Sequence, residues 1–403
     1  MIFVQIPFLI LVSVFTLYNL ILAILAFFYK SNLNFDTKKL NRFAVIIPAH
    51  NEELIISQTL KSIFNIAYSD QYFDTYVIAD NCTDKTSIIA ANMGAQVLER
   101  SNNNLIGKGH ALKWCFDFLL LSPKKYDAFF IMDADTIASK NLLQILNLYL
   151  NSGAKAIQCS DLVEQQKNSW SSEITRVGLL LYNFTKPLGK KVIKCSAGLR
   201  GNGMCFTTDV LDKNPWDAFS QTEDLEFALR LLMKDISIIF APEAKVKAIM
   251  PANSSNAESQ RARWEIGRFP ILIKYSGKLF FNSIKKRSLK LFDAFIDLIL
   301  PAFVNLFSFT LLMSLLNCFL FLISFEKNIF LLELWAFLLM FQIFYVFGGL
   351  YIAHADADAY KALLKAPKFI IWKFLLYFKL AKKGHTNLWI RTTRESKSET
   401  LMN

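Results

Sequence analysis

Three long apolar runs divide the chain, and none shows the strict alternation that is typical of an amphipathic strand. Residues 2–29 and 298–325 contain no charged side chain, and residues 328–353 contain only Glu333. About 20 consecutive apolar residues are enough for a helix to cross a bilayer. The pattern therefore predicts an N-terminal transmembrane anchor over residues 1–30 and a transmembrane hairpin over residues 296–353.

A cleaved signal peptide is the alternative interpretation of the first run. Such a peptide has a basic start and a short apolar core, and residues 1–29 have neither. The length of the run favours a membrane anchor.

The region between the first two runs alternates short β-rich segments with helical ones. Apolar residues at 43–47, 76–79 and 129–132 are each followed by a polar loop, and helical patterns separate them. Repeated strand, loop and helix units are typical of a mainly parallel sheet. We therefore expect an α/β domain over residues 41–265, with ligands bound beyond the carboxyl ends of its strands.

Two further segments mix aromatic and aliphatic residues with lysines. They fall in residues 266–295 and 354–403, and their clearest stretches are 269–291 and Ala366–Lys383. Basic amphipathic helices of this kind lie in the plane of the lipid headgroups. The alternative is a helix whose apolar face packs on a protein core while its lysines are solvated.

Composition and charge limit the partners of the chain. The 403 residues carry a formal net charge of +12 and 53% hydrophobic side chains. Lysine and arginine are concentrated beside the apolar runs, at Lys30–Arg42, Lys285–Lys290 and Lys361–Lys368, which by the positive-inside rule places the middle region and the C-terminus in the cytosol. The basic excess thus indicates a membrane surface rather than nucleic acid, and six scattered cysteines fit a reducing compartment.

Paired carboxylates follow the strand at residues 129–132. Asp133 and Asp135 are separated by one residue, so their side chains share a face of an extended chain. Two carboxylates with phosphate oxygens are ligands that Mg²⁺ or Mn²⁺ prefers, and a nucleotide diphosphate leaving group needs such neutralisation. A pair of aspartates that merely caps a loop or helix is the alternative.

Two later motifs add to the paired aspartates. Thr222-Glu223-Asp224 opens a helical pattern, where carboxylates also serve as simple helix caps. Gln260, Arg263 and Trp264 then combine an amide, a guanidinium and an indole. An arginine fork matches phosphate oxygens, and a tryptophan face can stack on a sugar ring.

Taken in order along the chain, these motifs resemble the signature of the family-2 glycosyltransferases. The resemblance covers about residues 42–270 and is closest to the membrane branch that contains cellulose, hyaluronan, chitin and poly-N-acetylglucosamine synthases and ceramide glucosyltransferases. It implies a GT-A fold, UDP-sugar donors, Mg²⁺ or Mn²⁺, and inversion at the anomeric centre. The residues that carry it are Asn51, Glu52, Asp80, Asp133, Asp135, Thr222, Glu223, Asp224, Gln260, Arg263 and Trp264.

The resemblance also implies roles on the donor side. Asp80 would contact the uridine, Asp133 the ribose or diphosphate, and Asp135 the metal ion. Glu52 and Lys108 would belong to the donor site. Lys108 stands in Gly107-Lys108-Gly109, which lacks the frame of a Walker A loop and is also compatible with a plain turn. Gln260 and Arg263 would hold the diphosphate.

On the acceptor side, the resemblance implies that Asp224 is the general base, and that Glu223 and Trp264 contact the acceptor. An inverting displacement does require a carboxylate opposite the leaving group. The stretch Gly201–Phe206 resembles the glycine-bearing stretch of the family beside the acceptor, and a hairpin turn explains its glycines equally well.

Three functions follow as hypotheses. The first is an inverting hexosyltransferase that extends a glycan or exopolysaccharide at the cytosolic face of a bacterial-type plasma membrane. The second is a transferase that adds one sugar to a lipid embedded beside the active site. The chain departs from the synthases with translocation channels in having fewer apolar runs, and whether it adds one sugar or many stays open. The third is a scaffold with an inactive transferase domain, which the complete set of carboxylates disfavours.

Overall fold

The structure is a computed structural model that describes residues 2–31, 33, 39–164, 170–249, 254–324 and 329–383. Within these ranges it describes no side chains for residues 2, 254–266, 324 and 378–383. The chain forms two compact units. A sheet unit comprises residues 31–169 and 195–295, and a helical unit comprises residues 1–30, 170–194 and 296–384.

Eight strands in the sheet unit form one mixed sheet in the order β3-β2-β1-β4-β7-β6-β8-β5. Strands β3, β2, β1 and β4 run parallel to one another, while β7 runs antiparallel to both β4 and β6. The strands are β1 (Phe43–Ala49), β2 (Phe73–Asp80), β3 (Gln96–Arg100), β4 (Ala128–Ile131), β5 (Thr136–Ala138), β6 (Ala156–Val163), β7 (Met204–Thr207) and β8 (Ile238–Ala248).

Fifteen α-helices occur in the described part of the chain. They are α1 (Ile2–Phe27), α2 (Ile56–Phe64), α3 (Thr86–Asn92), α4 (Lys108–Leu121), α5 (Leu142–Asn151), α6 (Trp170–Leu180), α7 (Lys186–Val192), α8 (Thr208–Lys213), α9 (Glu223–Met233), α10 (Ser254–Lys285), α11 (Leu289–Ile299), α12 (Phe303–Ser324), α13 (Ile329–Ile352), α14 (Ala357–Ala362) and α15 (Ala366–Lys383).

Central strands of the sheet unit are buried on both faces. Phe43, Val45 and Ile47 of β1 are fully buried, as are their intervening neighbours Ala44 and Ile46. A parallel strand that is covered by helices on both sides reads as a continuous apolar run, which is the pattern seen at residues 43–47. The prediction of an α/β domain with a mainly parallel sheet is therefore confirmed.

Three helices of the helical unit are long and apolar enough to cross a membrane, judged by length and composition. They are α1, α12 and α13, at the positions that the apolar runs predict. Buried polar side chains connect them. Gln342 in α13 donates to the hydroxyls of Thr16 in α1 and Thr310 in α12, each at 2.9 Å. Hydrogen bonds of this kind hold helices together where lipid supplies no hydrophobic driving force.

The helical unit also contains a segment that the hydrophobic pattern did not separate from the α/β region. Helices α6 and α7, joined by one π-helical stretch at Leu181–Thr185, cluster with the apolar helices. Lys186 and Lys190, one turn apart on α7, each donate to a different carboxylate oxygen of Asp297. Helix α7 also lies so close to α1 that a Cβ on Gly189 would come within 2.1 Å of the Leu22 carbonyl oxygen.

Both predicted amphipathic segments contain helices. Helix α10 begins at Ser254, so the boundary expected at residue 265 falls inside one continuous helix. Helix α15 covers residues 366–383, as the pattern predicts. Exposed apolar residues on α10 and α11 stand among lysines and arginines, and they include Phe281, Ile284, Leu289 and Phe292.

Candidate active site

The residues singled out in the sequence converge at one edge of the sheet. Asp80 ends β2, Asp133 and Asp135 follow β4, and Asn51 and Glu52 follow β1. Because these strands are parallel, their carboxyl ends meet at this edge. Strand β7 runs the other way, and its first residue, Met204, pairs with Ile131 at the end of β4. The loop at residues 201–203, which leads into Met204, therefore ends beside the paired aspartates.

Asp80 is held by a buried arginine. Its Oδ1 accepts a hydrogen bond of 2.5 Å from Nη1 of Arg100, and both residues are 7% exposed. Arg100 also donates from Nη2 to the Leu105 carbonyl oxygen at 2.6 Å. This pairing holds the Asp80 carboxylate in one orientation, and it leaves the carboxylate with its second oxygen for other contacts.

The loop after β1 is shaped by an asparagine in the left-handed region. Asn51 has a φ of 56°, and its side-chain oxygen accepts from the backbone N–H of Thr83 at 2.7 Å. Asparagine tolerates this conformation better than most residues. The backbone N–H of Glu52 donates to the Thr86 hydroxyl at 2.7 Å. The loops after β1 and β2 are thus tied together, with Glu52 between them.

Lys108 connects three parts of the site. It begins α4, and its ammonium donates to the Asp133 carboxylate and to the Gly201 carbonyl oxygen, the latter at 2.5 Å. Burial acts to lower the pKa of Lys108, but the charges of Asp133 and Glu223 outweigh it, so the pKa is raised. Lys108 therefore carries a positive charge among carboxylates.

The turn with Asp133 and Asp135 fits a hard divalent cation. Asp133 and Asp135 are partly exposed while Ala134 and Thr136 are buried, so both carboxylates lie on the accessible side. Among the described residues, no three His, Cys, Asp or Glu side chains are grouped to hold an ion by themselves. A cation here would take phosphate oxygens as further ligands, which is how Mg²⁺ is usually bound beside phosphates.

Glu223 and Asp224 begin α9, where the partial positive charge of a helix N-terminus favours carboxylates. Asp224 reaches the loop at residues 201–203, because a Cβ on Gly201 would stand 3.4 Å from Asp224 Oδ2 and 3.9 Å from Lys108 Nζ. Helix α4 also approaches closely, since a Cβ on Gly109 would stand 2.4 Å from the Ala218 carbonyl oxygen. The structure thus brings Asp224, Lys108 and Asp133 together.

Both carboxylates at the start of α9 resist ionisation. Burial raises the pKa of Glu223, and the neighbouring Asp224 charge raises it further while Lys108 opposes the shift. Burial also raises the pKa of Asp224, against backbone hydrogen bonds and the charges of Lys108 and Arg200. Two adjacent acids with raised pKa values are a frequent feature of catalytic sites.

Helix α10 carries the last predicted motif. Gln260, Arg263 and Trp264 lie in this helix, and their side chains are outside the described residues. Three residues further on, the Gly267 carbonyl oxygen accepts from the Thr222 hydroxyl at 3.1 Å, and a Cβ on Gly267 would stand 3.1 Å from Gln221 and Thr222. The helix therefore passes directly against the residues that precede Glu223.

Several residues of the site carried no recognisable signal in the sequence. Arg100 is the buried last residue of the short edge strand β3, and its pairing with Asp80 appears only in the fold. His110 stacks on Phe219, with ring centroids 4.2 Å apart and planes within 5°. Burial and the charge of Arg100 lower the pKa of His110. Burial and then the Asp133 charge raise the pKa of Asp161, in β6, to about 8.

Comparisons with known proteins identify the family and the fold of the chain. The family model described as glycosyltransferase like family 2 matches residues 41–267, which is more than half of the chain. Beta-monoglucosyldiacylglycerol synthase of Nostoc sp. is 28% identical over 242 residues, which are 58% of this chain and 50% of that protein. Probable glycosyltransferase YdaM of Bacillus subtilis is 25% identical over 269 residues, which are 64% of this chain and 62% of that protein. The chain thus spans less than two thirds of these curated relatives.

A solved structure with a similar fold is the mannosyltransferase PcManGT from Pyrobaculum calidifontis, determined in complex with GDP-Man and Mn²⁺. The two chains superimpose with a TM-score of 0.51 at 14% identity, over 85% of this chain and 96% of that one. This likeness confirms the expected GT-A fold. The match over residues 41–267 shows in addition that the chain belongs to glycosyltransferase like family 2.

Proposed function

We propose that this chain transfers a sugar from a nucleotide diphosphate donor to the hydroxyl of a membrane-associated acceptor, with inversion at the anomeric carbon. One observation carries the proposal. The Lys108 ammonium joins Asp133 to the Gly201 loop, and Asp224 approaches the same loop. A cation and a carboxylate base thus lie beside the same loop, where a nucleotide sugar and its acceptor would meet.

On the donor side, the proposed roles follow the order of the strands. Asp80, fixed by Arg100, would accept from the nucleoside, and Asp133 with Lys108 would receive the ribose and diphosphate. Glu52, Gln260 and Arg263 would complete the donor site. When bound at Asp135, Mg²⁺ or Mn²⁺ would supply charge neutralisation for the departing diphosphate. Hard oxygen ligands support this choice of metal.

On the acceptor side, Asp224 would act as the general base. The acceptor oxygen forms a bond to the anomeric carbon, the bond from that carbon to the diphosphate oxygen breaks, and the acceptor proton moves to the Asp224 carboxylate. A raised pKa makes Asp224 a stronger base than an exposed aspartate. Glu223 and Trp264 would contact the acceptor beside it.

We propose UDP as the nucleotide and a hexose as the sugar, on the resemblance to the membrane branch of the family. The similar mannosyltransferase was solved with GDP-Man, so GDP-sugars belong in the same assay. The basic residues that flank the apolar helices support a cytosolic active site at a bacterial-type plasma membrane.

Two acceptors fit the proposal. A growing glycan follows from the resemblance to polysaccharide synthases. A membrane lipid that receives one sugar is favoured by two observations: a relative is a beta-monoglucosyldiacylglycerol synthase, and the described chain has three helices that could cross a membrane, fewer than a synthase with a translocation channel.

Sizing the product of purified protein separates these acceptors. The protein is incubated with radiolabelled UDP-glucose, UDP-N-acetylglucosamine or GDP-mannose in vesicles that contain diacylglycerol. Label in a single organic-soluble lipid identifies a glycolipid synthase, and label in a series of lengths identifies a glycan synthase. Asp224→Asn protein is the control for both, and the absence of any transfer by the unmodified protein from a broader panel of nucleotide sugars would contradict the proposal.

A further inference from the structure

One buried asparagine bonds to both ends of the turn that carries Asp133 and Asp135. The side-chain oxygen of Asn202 accepts from the Asp133 backbone N–H at 3.1 Å, and its amide nitrogen donates to the Thr136 hydroxyl at 3.1 Å. The same nitrogen donates to Asp161 Oδ1 at 2.9 Å. Asn202 is 3% exposed. It therefore spans the four-residue turn from one side.

Asn202 is itself fixed by the strand on its other side. Gln158 in β6, 1% exposed, donates to the Asn202 carbonyl oxygen at 2.7 Å and accepts from the Arg200 N–H at 2.9 Å. Gly203, at a φ of +68°, packs so tightly that a Cβ would stand 2.8 Å from Val246. The loop is thus held at its start and at its end, and the Asn202 amide has little freedom to move.

We propose that Asn202, oriented by Asp161, is a positioning residue that holds the Asp133–Asp135 turn in the shape that binds the cation and the diphosphate. The inference rests on the proposed function, since it assumes that a cation and a diphosphate bind at this turn. Asn202 touches the backbone of the turn and the Thr136 hydroxyl rather than the substrate.

The chemistry of the side chain explains why this position suits an amide. The turn offers the Asp133 backbone N–H as a donor and the Thr136 hydroxyl as an acceptor, and Asp161 in β6 adds a carboxylate oxygen as a second acceptor. The side chain at position 202 must therefore accept and donate at the same time. Aspartate can accept but, when ionised, cannot donate, so it could not supply the hydrogen bonds to Thr136 and Asp161. Residues that orient metal ligands from the second layer commonly change metal affinity by about 10- to 100-fold when altered.

A buried asparagine elsewhere in the sheet unit provides a matched control. Asn214 donates from its side chain to the Val210 carbonyl oxygen at 2.9 Å and accepts from Lys234 at 2.8 Å. It is 9% exposed, and these two partners belong neither to the turn nor to the loop at residues 201–203. Asn214→Asp thus changes a buried amide to a carboxylate without changing the hydrogen bonds between Asn202 and the turn.

The test measures binding of UDP and GDP to the full-length protein by calorimetry, with and without Mn²⁺, together with the melting temperature. We expect Asn202→Asp to reduce the Mn²⁺-dependent gain in nucleotide affinity by about 10-fold or more, and to change metal-free affinity little. Asn214→Asp should keep the full Mn²⁺-dependent gain. An equal gain in Asn202→Asp and unmodified protein would overturn the inference.

Two variants at Asp161 test the inference independently and keep it testable if Asn202→Asp does not fold. Asp161→Asn keeps a side-chain oxygen that can accept from Asn202, whereas Asp161→Ala removes it. We expect Asp161→Ala to lose Mn²⁺-dependent affinity and Asp161→Asn to retain most of it, and equal behaviour of the two would overturn the role of Asp161. An unmodified protein with no Mn²⁺-dependent affinity for either nucleotide would contradict the proposed function. The inference about Asn202 would then fail as well, because it rests on that function.

Discussion

At the scale of single residues, Asp224 carries the chemistry of the proposed reaction. Asp224→Asn keeps the size of the side chain but removes its ability to take the acceptor proton. We expect the transfer rate to fall by about 10²- to 10⁴-fold, the usual cost of losing a positioned general base. Affinity for the nucleotide should persist, because Asp80 and Lys108 are unchanged. Near-native transfer by this variant, measured as nucleotide release with acceptor present, would refute the role of Asp224.

Trp264→Ala should fail in a different way. It removes the proposed stacking surface for the acceptor, so acceptor-dependent release of the nucleotide should fall while slow hydrolysis of the donor continues. The measurement compares release with and without acceptor, alongside nucleotide affinity. Equal loss of nucleotide binding in Trp264→Ala and Asp224→Asn would indicate that both residues mainly support the fold.

The pair Glu223 and Asp224 predicts an acid limit of the rate. Both pKa values are raised, so the ionised form of Asp224 is lost on acidification at a higher pH than for an exposed aspartate. The rate should therefore fall as the pH decreases through this raised pKa. Glu223→Gln removes the neighbouring charge, and in a coupled pair this should move the acid limb to lower pH.

The check is the pH–rate profile at saturating donor for unmodified and Glu223→Gln protein. The Glu53→Gln protein serves as a control. Glu53 accepts from the Lys85 backbone N–H at 3.1 Å and belongs neither to the Asp133/Asp135 pair nor to the Thr222-Glu223-Asp224 motif. An acid limb that moves upward in Glu223→Gln would contradict this electrostatic account.

The sequence predicted the charged residues of the site better than it predicted the residues that hold them in position. Asp80, Asp133 and Asp224 were recognisable because acidic residues at strand ends and helix starts form motifs in a fixed order. The structure assembles Lys108, Asp133 and Asp224 around Gly201, while their catalytic roles stay predictions. Asn202, Gln158 and Arg100 act through partners 20 to 69 positions away, and no local pattern marks such pairs.

At the scale of elements, close approach of α7 and α1 depends on Gly189. A Cβ there would stand 2.1 Å from the Leu22 carbonyl oxygen and 2.9 Å from the Leu22 Cα, and backbone atoms cannot rotate away. We expect Gly189→Ala to separate the helices and to destabilise the protein by about 1–3 kcal/mol, as overpacking usually does. Thermal unfolding in detergent measures the change.

Gly178 in α6 is the matched control for this substitution. A Cβ at Gly178 meets nothing within 4 Å. Gly178→Ala should be neutral or stabilise the helix by about 0.5–1 kcal/mol, because alanine loses less backbone entropy on folding. A melting temperature for Gly189→Ala equal to that of Gly178→Ala would show that the two helices do not pack as described.

Helices α6 and α7 also illustrate what the hydrophobic pattern does not predict, namely the packing partners of a helix. Their residues look like an ordinary α/β helix because apolar and polar positions alternate at helical spacing, and the pattern does not reveal which apolar surface they cover. Their partners are distant in sequence: Lys186 bonds to Asp297, Arg176 to Asp356, and Lys365 to Glu173. Ion pairs of this separation become visible only once the chain has folded.

At the scale of the whole molecule, we predict the orientation of the protein in the membrane. Lysines flanking the apolar helices favour a cytosolic sheet unit. A cysteine introduced at the exposed Lys140, in a background without the native exposed Cys318, should resist an impermeant thiol reagent on intact cells and react after lysis. A cysteine at position 326, in the predicted outward loop, should react on intact cells. Ready labelling of position 140 from outside would refute this orientation.

The dependence of sugar transfer on a divalent cation is the most direct test of the proposed function. Nucleotide release from a panel of UDP- and GDP-sugars is measured for the full-length protein in lipid vesicles, with Mn²⁺ or Mg²⁺ and then with excess EDTA. We expect release with one donor in the presence of the cation, loss of release in EDTA, and recovery when Mn²⁺ is restored, because Asp133 and Asp135 offer hard oxygen ligands beside the proposed diphosphate site. Full turnover in excess EDTA would contradict the account.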